Sequence, residues 1–348
     1  MKIAITTVQI PFVSGGAEFL ASNLKTALIN AGHEAEIITM PFMDGPDYLL
    51  ENHIIASRMM DITNSWGGHN DLCIGLKFPA YYMPHPNKVM WVLHQHRGAY
   101  DLFDTDFSLL KNDPRGRQLK KIVTNADNKY LPEAKRIYTI AGNVSSRMKK
   151  YNNIDSTPLY HPCPDMDKFY TGEVGDYILM PSRINATKRQ KLAVEALAET
   201  KSNIKLYLVG KADNPVVKEE LKTFINERKL EDRVVFFDYV SQEEKFKLYA
   251  NARAVLFIPY DEDYGYITLE AMAAGKIVIT AKDSGGPLEF VIDDRTGLVV
   301  DSTVSEIAKA IDMVAGSDAI AKEYGLAGIE HLKEMDITWE KVVKELTK

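Results

Sequence analysis

Short apolar runs alternate with longer segments of helical periodicity along the whole chain. In the first half, runs typical of buried strands occur at residues 2–8, 36–39, 88–93 and 137–140. Apolar residues at helical spacing lie between them, at residues 17–32 and 117–126. Gly32 ends the first of these helices as a stop signal. This alternation is typical of a parallel sheet covered by helices.

The alternation starts again after residues 161–176, where prolines, glycines and acids predict a linker. Further strands are predicted at residues 177–180, 205–209, 234–237, 254–258 and 277–280. Helices are predicted at residues 189–199, 215–229 and 241–251. Ser241 and Glu244 have the spacing of a capping box at the start of the last helix.

The predicted fold class is therefore α/β, with two tandem Rossmann-like, doubly wound domains facing each other across a cleft. Residues 1–165 form the N-terminal domain of this prediction and residues 172–330 the C-terminal domain. A last helix near residues 339–346 belongs to a terminal segment, 331–348, that we expect to pack back on the N-terminal domain. Ligands of such sheets bind outside the carboxyl ends of the strands.

The composition agrees with this fold class and narrows the function. A chain of 348 residues with 45% hydrophobic and 26% charged residues suits two globular domains. The net charge of −6 argues against nucleic acid as the main partner. Cys73 and Cys163 lack metal-site spacing and predict reduced thiols in a cytoplasmic protein. The first residues predict a strand and not a signal peptide, and no apolar run is long enough to span a membrane.

The positive charge is concentrated in residues 111–150, which contain eleven Lys or Arg and three Asp or Glu. Such a stretch can form ordinary solvated helix faces. It can also form a basic face for an anionic acceptor or for the inner surface of a membrane. The second interpretation predicts peripheral membrane contact.

The most informative pattern of the chain is a pair of acids, Glu262 and Glu270, separated by seven residues. A helix is predicted to start near Tyr266, so the amides of Tyr266, Ile267 and Thr268 would face a phosphate. Glu270 could accept hydrogen bonds from both hydroxyls of a ribose, and Glu262 from the hydroxyls of a second sugar. The alternative is an acidic first turn that only stabilises its own helix dipole.

Two cations, Arg183 and Lys188, lie between the first strand and the first helix of the C-terminal domain. At such a turn they could neutralise a diphosphate, which Arg can bind with two hydrogen bonds. Arg189 could assist them or face solvent. The alternative is that all three are ordinary surface cations.

A glycine loop, Ser14-Gly15-Gly16, follows the first strand of the chain. Glycine lets the backbone approach a ligand closely because it has no Cβ. The loop does not match the dinucleotide fingerprint G-x-G-x-x-G.

His94 and His96 lie at the end of an apolar strand, where residues i and i+2 share one face. One of them could contact a reacting sugar, both could be structural, or both could bind a metal, although no third ligand is evident. Asp261 and Asp263 form a D-x-D string that could hold a divalent ion. We expect no metal at either place. At the D-x-D string, Arg183 and Lys188 could supply the positive charge instead.

These motifs together resemble the retaining GT-B glycosyltransferases of family 4, over nearly the whole chain. The segment EDYGYITLEAMAAGKIVIT is similar to the family pattern E-G-F-G-L-P-x-L-E-A-M-A-x-G-x-P-V. SRINATKRQ is similar to its R-x4-K segment, FVSGGAEF to its glycine loop and ITWEKVVKEL to its terminal Trp-containing helix.

The resemblance implies a nucleoside diphosphate sugar as donor, bound mainly by the C-terminal domain, with no cofactor and no essential metal. Arg183 and Lys188 would bind the diphosphate, Glu270 the ribose and Glu262 the donor sugar. The donor-binding residues implied in this way are Gly15, Gly16, Arg183, Lys188, Gly210, Val240, Glu262, Tyr266, Ile267, Thr268 and Glu270.

The resemblance also implies catalytic roles for Glu262 and a strand-end histidine, which matches His94 first and His96 second. Glu289 matches an acid that supports the site. Three departures from the family pattern leave the donor base and sugar unassigned. The family's proline is replaced in Ile267-Thr268, its G-x-G is reduced to Val209-Gly210-Lys211, and Asp238-Tyr239-Val240 replaces a turn that usually contains glycine.

The predicted function is therefore that of a retaining hexosyltransferase in bacterial surface glycan or polysaccharide biosynthesis. It would transfer a sugar to a hydroxyl of a glycan or lipid-linked acceptor, in the cytoplasm or at the inner membrane face. Two alternatives remain open at this point. One is a non-catalytic nucleotide-sugar-binding subunit and the other is a GT-B epimerase acting on a UDP-sugar.

Overall fold

The computed structural model describes residues 1–12, 15–43 and 48–348, and the chain divides into two compact units. The first unit comprises Met1–Pro164 and Thr338–Lys348, and the second comprises Asp165–Ile337. Each unit is built on a six-stranded parallel sheet covered by helices. The predicted α/β class with two tandem Rossmann-like domains is confirmed.

Among its described residues, the first unit has eight strands and four α-helices ahead of the second unit. Its strands are β1 (Lys2–Gln9), β2 (Glu34–Pro41), β3 (Asn64–Ser65), β4 (Gly68–His69), β5 (Leu72–Gly75), β6 (Lys88–Val92), β7 (Arg136–Thr139) and β8 (Thr157–Pro158). Its helices are α1 (Gly16–Asn30), α2 (Tyr48–Met59), α3 (Gly116–Tyr130) and α4 (Gly142–Asn152). The parallel sheet has the order β2-β1-β5-β6-β7-β8, and β3 and β4 form an antiparallel hairpin.

Burial on both faces explains why the central strands of this sheet are continuous apolar runs. All of β6 is buried, and so are the six central residues of β1. Helix α1 covers the sheet with Leu20, Leu24 and Leu28, which repeat every four residues and are buried. The helical spacing in the sequence therefore reports the face of α1 that packs on the sheet.

The second unit contains six strands and six helices. Its strands are β9 (Tyr177–Met180), β10 (Lys205–Val209), β11 (Val234–Phe237), β12 (Ala254–Leu256), β13 (Ile277–Ala281) and β14 (Gly297–Val300). Its helices are α5 (Gln190–Glu199), α6 (Pro215–Glu227), α7 (Gln242–Ala250), α8 (Tyr266–Ala273), α9 (Val304–Ala315) and α10 (Asp318–Glu334). The strand order is β11-β10-β9-β12-β13-β14, so the chain winds outward in both directions from β9.

The last helix, α11 (Trp339–Leu346), belongs to the first unit. The ring of Trp339 stacks on His161 at 6.0 Å and meets Trp91 edge-on at 6.3 Å. The predicted start of the terminal segment at residue 331 is wrong, because α10 continues to Glu334 within the second unit. That helix is apolar on the face that packs on α8 and β13, which keeps it with the second unit.

Lys276 carries a charge into the core of the second unit. Its side chain is 3% exposed, its Nζ donates to the Glu173 carbonyl at 3.1 Å, and burial lowers its pKa from 10.5 to about 8. The folded state therefore disfavours the charged form. This cost is fully present below pH 8 and disappears as the pH rises from 8 to 10.5, where the unfolded lysine also loses its proton.

We predict that Lys276→Met raises the free energy of unfolding at pH 7, by on the order of 1–2 kcal/mol. The gain should shrink above pH 8 and vanish near pH 10.5. Chemical denaturation across this pH range measures it. Lys282→Met is the control, since Lys282 is exposed and pairs with Asp301. A destabilised Lys276→Met at pH 7 would contradict the prediction.

The packing of α11 should be sensitive to acid. Burial lowers the pKa of His161 from 6.5 to about 3, so the folded first unit holds this ring neutral. The contribution of the neutral His161 ring to the stability of the first unit is fully present above pH 6.5 and is lost as the pH falls toward 3. We predict that His161→Phe reduces the loss of stability between pH 7 and pH 5, measured by denaturation with Trp fluorescence. His69→Gln, at an exposed position, should leave that loss unchanged.

Candidate functional site

The predicted site residues of the second unit follow the carboxyl ends of its strands. Lys188 follows β9, Gly210 follows β10, Val240 follows β11 and Glu262 follows β12. In an open parallel sheet, ligands bind where neighbouring strands are wound in opposite directions. The pair β9 and β12 is that place in this sheet.

Lys188 and Glu262 meet at this switch point in a direct ion pair. The Lys188 side chain is 15% exposed and Glu262 is 26% exposed, so water reaches both only in part. Asn185 positions the backbone here, because its Oδ1 accepts the Lys188 amide at 3.1 Å. The Lys188 ammonium also lies 5.5 Å from the centre of the Phe257 ring. The structure thus brings together two of the predicted site residues.

Arg183 and Arg189 are placed differently from Lys188. Arg183 is 68% exposed and its Nη1 donates to Asp213 at 2.9 Å. Arg189 is the N-cap of α5 and binds both oxygens of Asp283, at 2.8 and 2.6 Å. These hydrogen bonds lower the pKa of the Asp283 carboxyl. Arg189 therefore joins the start of α5 to the segment after β13, a role that was not predicted from the sequence.

The loop that carries Glu262 is fixed against the loop after β13. The Glu262 amide donates to the Ser284 carbonyl at 2.8 Å, and the Gly286 amide donates to the Glu262 carbonyl at 2.8 Å. A Cβ at Gly286 would lie 2.5 Å from the Tyr264 carbonyl oxygen. Only glycine lets the two loops approach this closely, and Glu289, half-buried, ends the short turn that follows.

Helix α8 starts at Tyr266, as predicted, and follows Gly265 at a φ of 91°. Tyr266, Ile267 and Thr268 form its first turn, where backbone amides point toward the amino end of the helix. The Thr268 amide turns back to the Gly265 carbonyl at 3.0 Å. Its Oγ1 is buried and has no hydrogen-bond partner among the described residues.

Glu270 lies in the same helix and is 6% exposed. Its two oxygens contact α7. Lys245 Nζ donates to Oε1 at 2.6 Å, and the Tyr249 hydroxyl donates to Oε2 at 2.5 Å. The sequence motifs gave no sign of Lys245 and Tyr249, whose only local signal is a spacing of four residues on one helix face.

The two remaining donor-binding candidates of this unit shape the edge next to α7. Gly210 has a φ of 147°, and a Cβ there would lie 2.3 Å from the Ser182 carbonyl oxygen. Its amide donates to the Phe237 carbonyl at 2.8 Å, which holds the ends of β10 and β11 together. Val240 is half-buried and precedes Ser241, whose Oγ accepts the Glu244 amide at 3.1 Å. The predicted cap at Ser241 is confirmed.

In the first unit, Gly15 caps α1 and Gly16 is its first residue. The Gly15 amide donates to Glu18 Oε2 at 2.8 Å. A Cβ at Gly15 would meet no atom closer than 3.7 Å, so packing does not require glycine there. Ser14, the first residue of the predicted loop, lies outside the described residues.

The predicted position of His94 and His96 on one face of a strand is wrong. Strand β6 ends at Val92, because the chain turns into a short helix at residues 97–99. His94 Nδ1 lies 2.7 Å from the Gln95 carbonyl, whereas the His96 ring packs 5.1 Å from Phe78. No group of three or more His, Cys, Asp or Glu in the described ranges could hold a metal ion.

A buried polar cluster under this turn was not predicted. Asp127 is fully buried and accepts hydrogen bonds from the hydroxyls of Tyr81, Tyr82 and Tyr100, at 3.0, 2.7 and 2.6 Å. Burial raises the pKa of Asp127, although these donors oppose the rise. Gln95 donates to the same carboxyl at 3.3 Å, which fixes the residue between the two histidines.

Comparison with known proteins shows similarity to glycosyltransferases. A family model described as "Glycosyl transferases group 1" matches residues 164–329. Alpha-1,3/1,6-mannosyltransferase ALG2 of Dictyostelium discoideum is 31% identical over 175 residues, which are 45% of this chain and 41% of that protein. The match thus spans less than half the length of this relative.

Two solved structures align over the whole chain at low sequence identity. Sucrose-phosphate synthase from Thermosynechococcus elongatus has a TM-score of 0.79 at 17% identity and covers 100% of this chain and 98% of its own. Anabaena HepE, solved in complex with UDP and glucose, has a TM-score of 0.73 at 15% identity, with coverages of 100% and 98%. The chain therefore has the GT-B fold, and its residues 164–329 match the family model of the group 1 glycosyltransferases.

Proposed function

We propose that this protein is a retaining glycosyltransferase that moves a sugar from a nucleoside diphosphate sugar to an acceptor hydroxyl. The observation that carries the proposal is the contact of Lys188 with Glu262 at the switch point of the second sheet, beside the first turn of α8. A cation and a helix N-terminus suit a diphosphate, and an acid suits sugar hydroxyls. The UDP-bound structural relative supports the donor class.

In this proposal the second unit supplies the charge that catalysis needs. Negative charge grows on the diphosphate as the bond to the sugar breaks, and Lys188 with the amides of α8 stabilises it. Arg183 adds its charge after turning away from Asp213, which its exposure permits. The acceptor hydroxyl attacks the donor sugar on the face from which the leaving group departs. No residue of the protein therefore acts as a covalent nucleophile.

The ion pair of Lys188 also suggests an order of events. Without donor, Glu262 balances the charge of Lys188. A diphosphate carries more negative charge than one carboxylate, so it competes for the ammonium. Glu262 is then able to accept hydrogen bonds from the donor sugar.

In the first unit, we assign the sugar contact to His94 over His96. The Gln95 carbonyl can only accept, so His94 Nδ1 donates to it, and this hydrogen bond orients the ring. His96 instead packs its ring on Phe78 and Phe42. Gly15 and Gly16 bring backbone amides to the donor, and no metal or cofactor takes part.

We further propose that the acceptor is a bacterial surface glycan or lipid-linked precursor at the inner face of a membrane. Residues 111–150 do not form one surface, since Arg136 binds the Leu346 carbonyl and Arg147 is buried. A smaller basic surface remains on α3, formed by Arg117, Lys120 and Lys121. In the described ranges no helix is both long and apolar enough to cross a bilayer.

The donor assignment predicts binding and turnover that depend on Lys188. In a thermal-shift panel of UDP-, GDP-, ADP- and dTDP-sugars, the sugars that carry one of these bases should raise the melting temperature. Ligands that bind the folded state stabilise it. With that donor, Lys188→Ala should lower turnover by on the order of 10²-fold, and the more exposed Arg183→Ala by less.

Lys205→Ala is the control, since Lys205 lies at the amino end of β10 and pairs with Asp176. Near wild-type turnover in both Lys188→Ala and Arg183→Ala would reject the assignment. Donor binding without transfer to any acceptor would indicate a binding subunit. Release of free sugar and nucleotide without acceptor would indicate an epimerase.

The acceptor proposal predicts binding to anionic membranes through α3. Wild type should sediment with vesicles of phosphatidylcholine and phosphatidylglycerol and not with phosphatidylcholine alone. Replacing Arg117, Lys120 and Lys121 by Glu should weaken this binding by on the order of 10²-fold, since each basic residue contributes about 1 kcal/mol. The exposed Lys149→Glu is the control. Equal partitioning of wild type onto both kinds of vesicle would contradict the proposal.

A further inference from the structure

Glu270 is the most completely enclosed of the predicted ligand-binding acids. Its side chain is 8% exposed in an ion pair with Lys245, compared with 26% for Glu262. Each of its oxygens has a different donor, Lys245 Nζ on Oε1 and the Tyr249 hydroxyl on Oε2. One carboxylate is therefore held at both ends by two residues of α7.

The two donors are themselves held in place. Lys245 and Tyr249 are four residues apart and share one face of α7. The Tyr249 side chain is fully buried and packs edge-on against Phe169 at 5.2 Å. The Lys245 ammonium lies 5.5 Å from the same Phe169 ring. The Phe169 ring thus holds Lys245 and Tyr249 in place, and these two residues hold the carboxylate of Glu270.

A carboxylate held in this way keeps part of its capacity to accept hydrogen bonds. Its two oxygens offer about four lone-pair positions, of which the two α7 donors use one on each oxygen. One position on each oxygen remains, and the two positions are about as far apart as the two oxygens. Neighbouring hydroxyls on a five-membered sugar ring have a similar separation.

The location of α7 indicates which part of a ligand would meet Glu270. Helix α7 begins at Gln242, two residues after Val240, and the Lys245 amide donates to the carbonyl of the N-cap Ser241 at 2.9 Å. The clamp formed by Lys245 and Tyr249 therefore adjoins the turn after β11. Lys188 and Glu262 lie toward β12, so a nucleotide with its diphosphate at Lys188 would direct its nucleoside to this side.

We propose that Lys245 and Tyr249 are positioning residues that orient Glu270 toward both ribose hydroxyls, and that they make the site select ribonucleotides over 2′-deoxyribonucleotides. This inference rests on the proposed function, because it needs a nucleotide at this edge of the sheet. It adds two residues that set specificity without contacting the nucleotide. A merely structural clamp, joining α7 to α8, would affect both kinds of nucleotide equally.

The test is a calorimetric comparison of UDP with 2′-deoxy-UDP and of GDP with 2′-deoxy-GDP, using whichever base wild type binds more tightly. We expect wild type to bind the ribonucleotide at least about tenfold more tightly, since hydrogen bonds to a charged group have this strength. Tyr249→Phe and Lys245→Met should each reduce the preference to about twofold or less, mainly by weakening ribonucleotide binding. Glu270→Gln gives the preference expected when the carboxylate is lost.

Lys247→Met is the control for Lys245, because Lys247 lies on the same helix and pairs with Glu243. Tyr177→Phe is the control for Tyr249, since its hydroxyl donates to the Leu248 carbonyl. Thermal unfolding identifies any variant that fails to fold. If Tyr249→Phe does not fold, Lys245→Met decides the test.

Three results would overturn the inference. The first is an unchanged ribose preference in both clamp variants. The second is an equal loss of affinity for the ribonucleotide and for the 2′-deoxyribonucleotide. The third is wild type that binds the nucleoside diphosphate without any ribose preference. If wild type binds neither base, ADP and 2′-deoxy-ADP are compared in the same way. Wild type that binds no nucleoside diphosphate would instead overturn the proposed function, and the inference with it.

Discussion

The candidate site depends on balancing the charge of two acids that are partly withdrawn from water. Glu262 is balanced by Lys188, from the turn after β9, and Glu270 by Lys245, from α7. A carboxylate buried without such a partner would carry a large desolvation cost. The two acids therefore stay in place because three separate segments of the second unit converge on the carboxyl edge of its sheet. The ligand chemistry proposed for the site follows from this convergence.

The sequence predicts those parts of the fold whose burial leaves a long periodic signal. The bounds of β9, β10 and β11 agree with the prediction because all three are runs of apolar and β-branched residues between polar turns. Strand β5, at Leu72–Gly75, was not predicted, although it is as long as β9 and β11. The helices α2 and α4 were missed because their polarity is mixed, and α9 was missed although Thr303 and Glu306 have the spacing of a capping box at its start. The prediction that His94 and His96 share one face of a strand was wrong for a related reason. An apolar run does not show at which residue a strand ends.

Within the candidate site, what could be predicted is what lies close together in sequence. Residues 262–270 predict the loop, the start of α8 and its acids, because spacing on one short segment fixes their relative positions. The partners of these acids could not be predicted. Lys188 is 74 residues from Glu262, and Lys245 is 25 residues from Glu270. Only the strand order brings them together, and a single sequence does not contain the pairing of its strands.

The departure from the family pattern at Ile267 has a physical consequence for the same turn. Proline at this position would fix φ for the helix but would offer no N–H. In this chain α8 starts at Tyr266 without it, where Gly265 adopts a positive φ and its carbonyl accepts the Thr268 amide. Ile267 therefore adds one backbone donor to the first turn of α8. If a diphosphate binds there, that extra amide strengthens the anion site, and the missing proline is no evidence of a lost function.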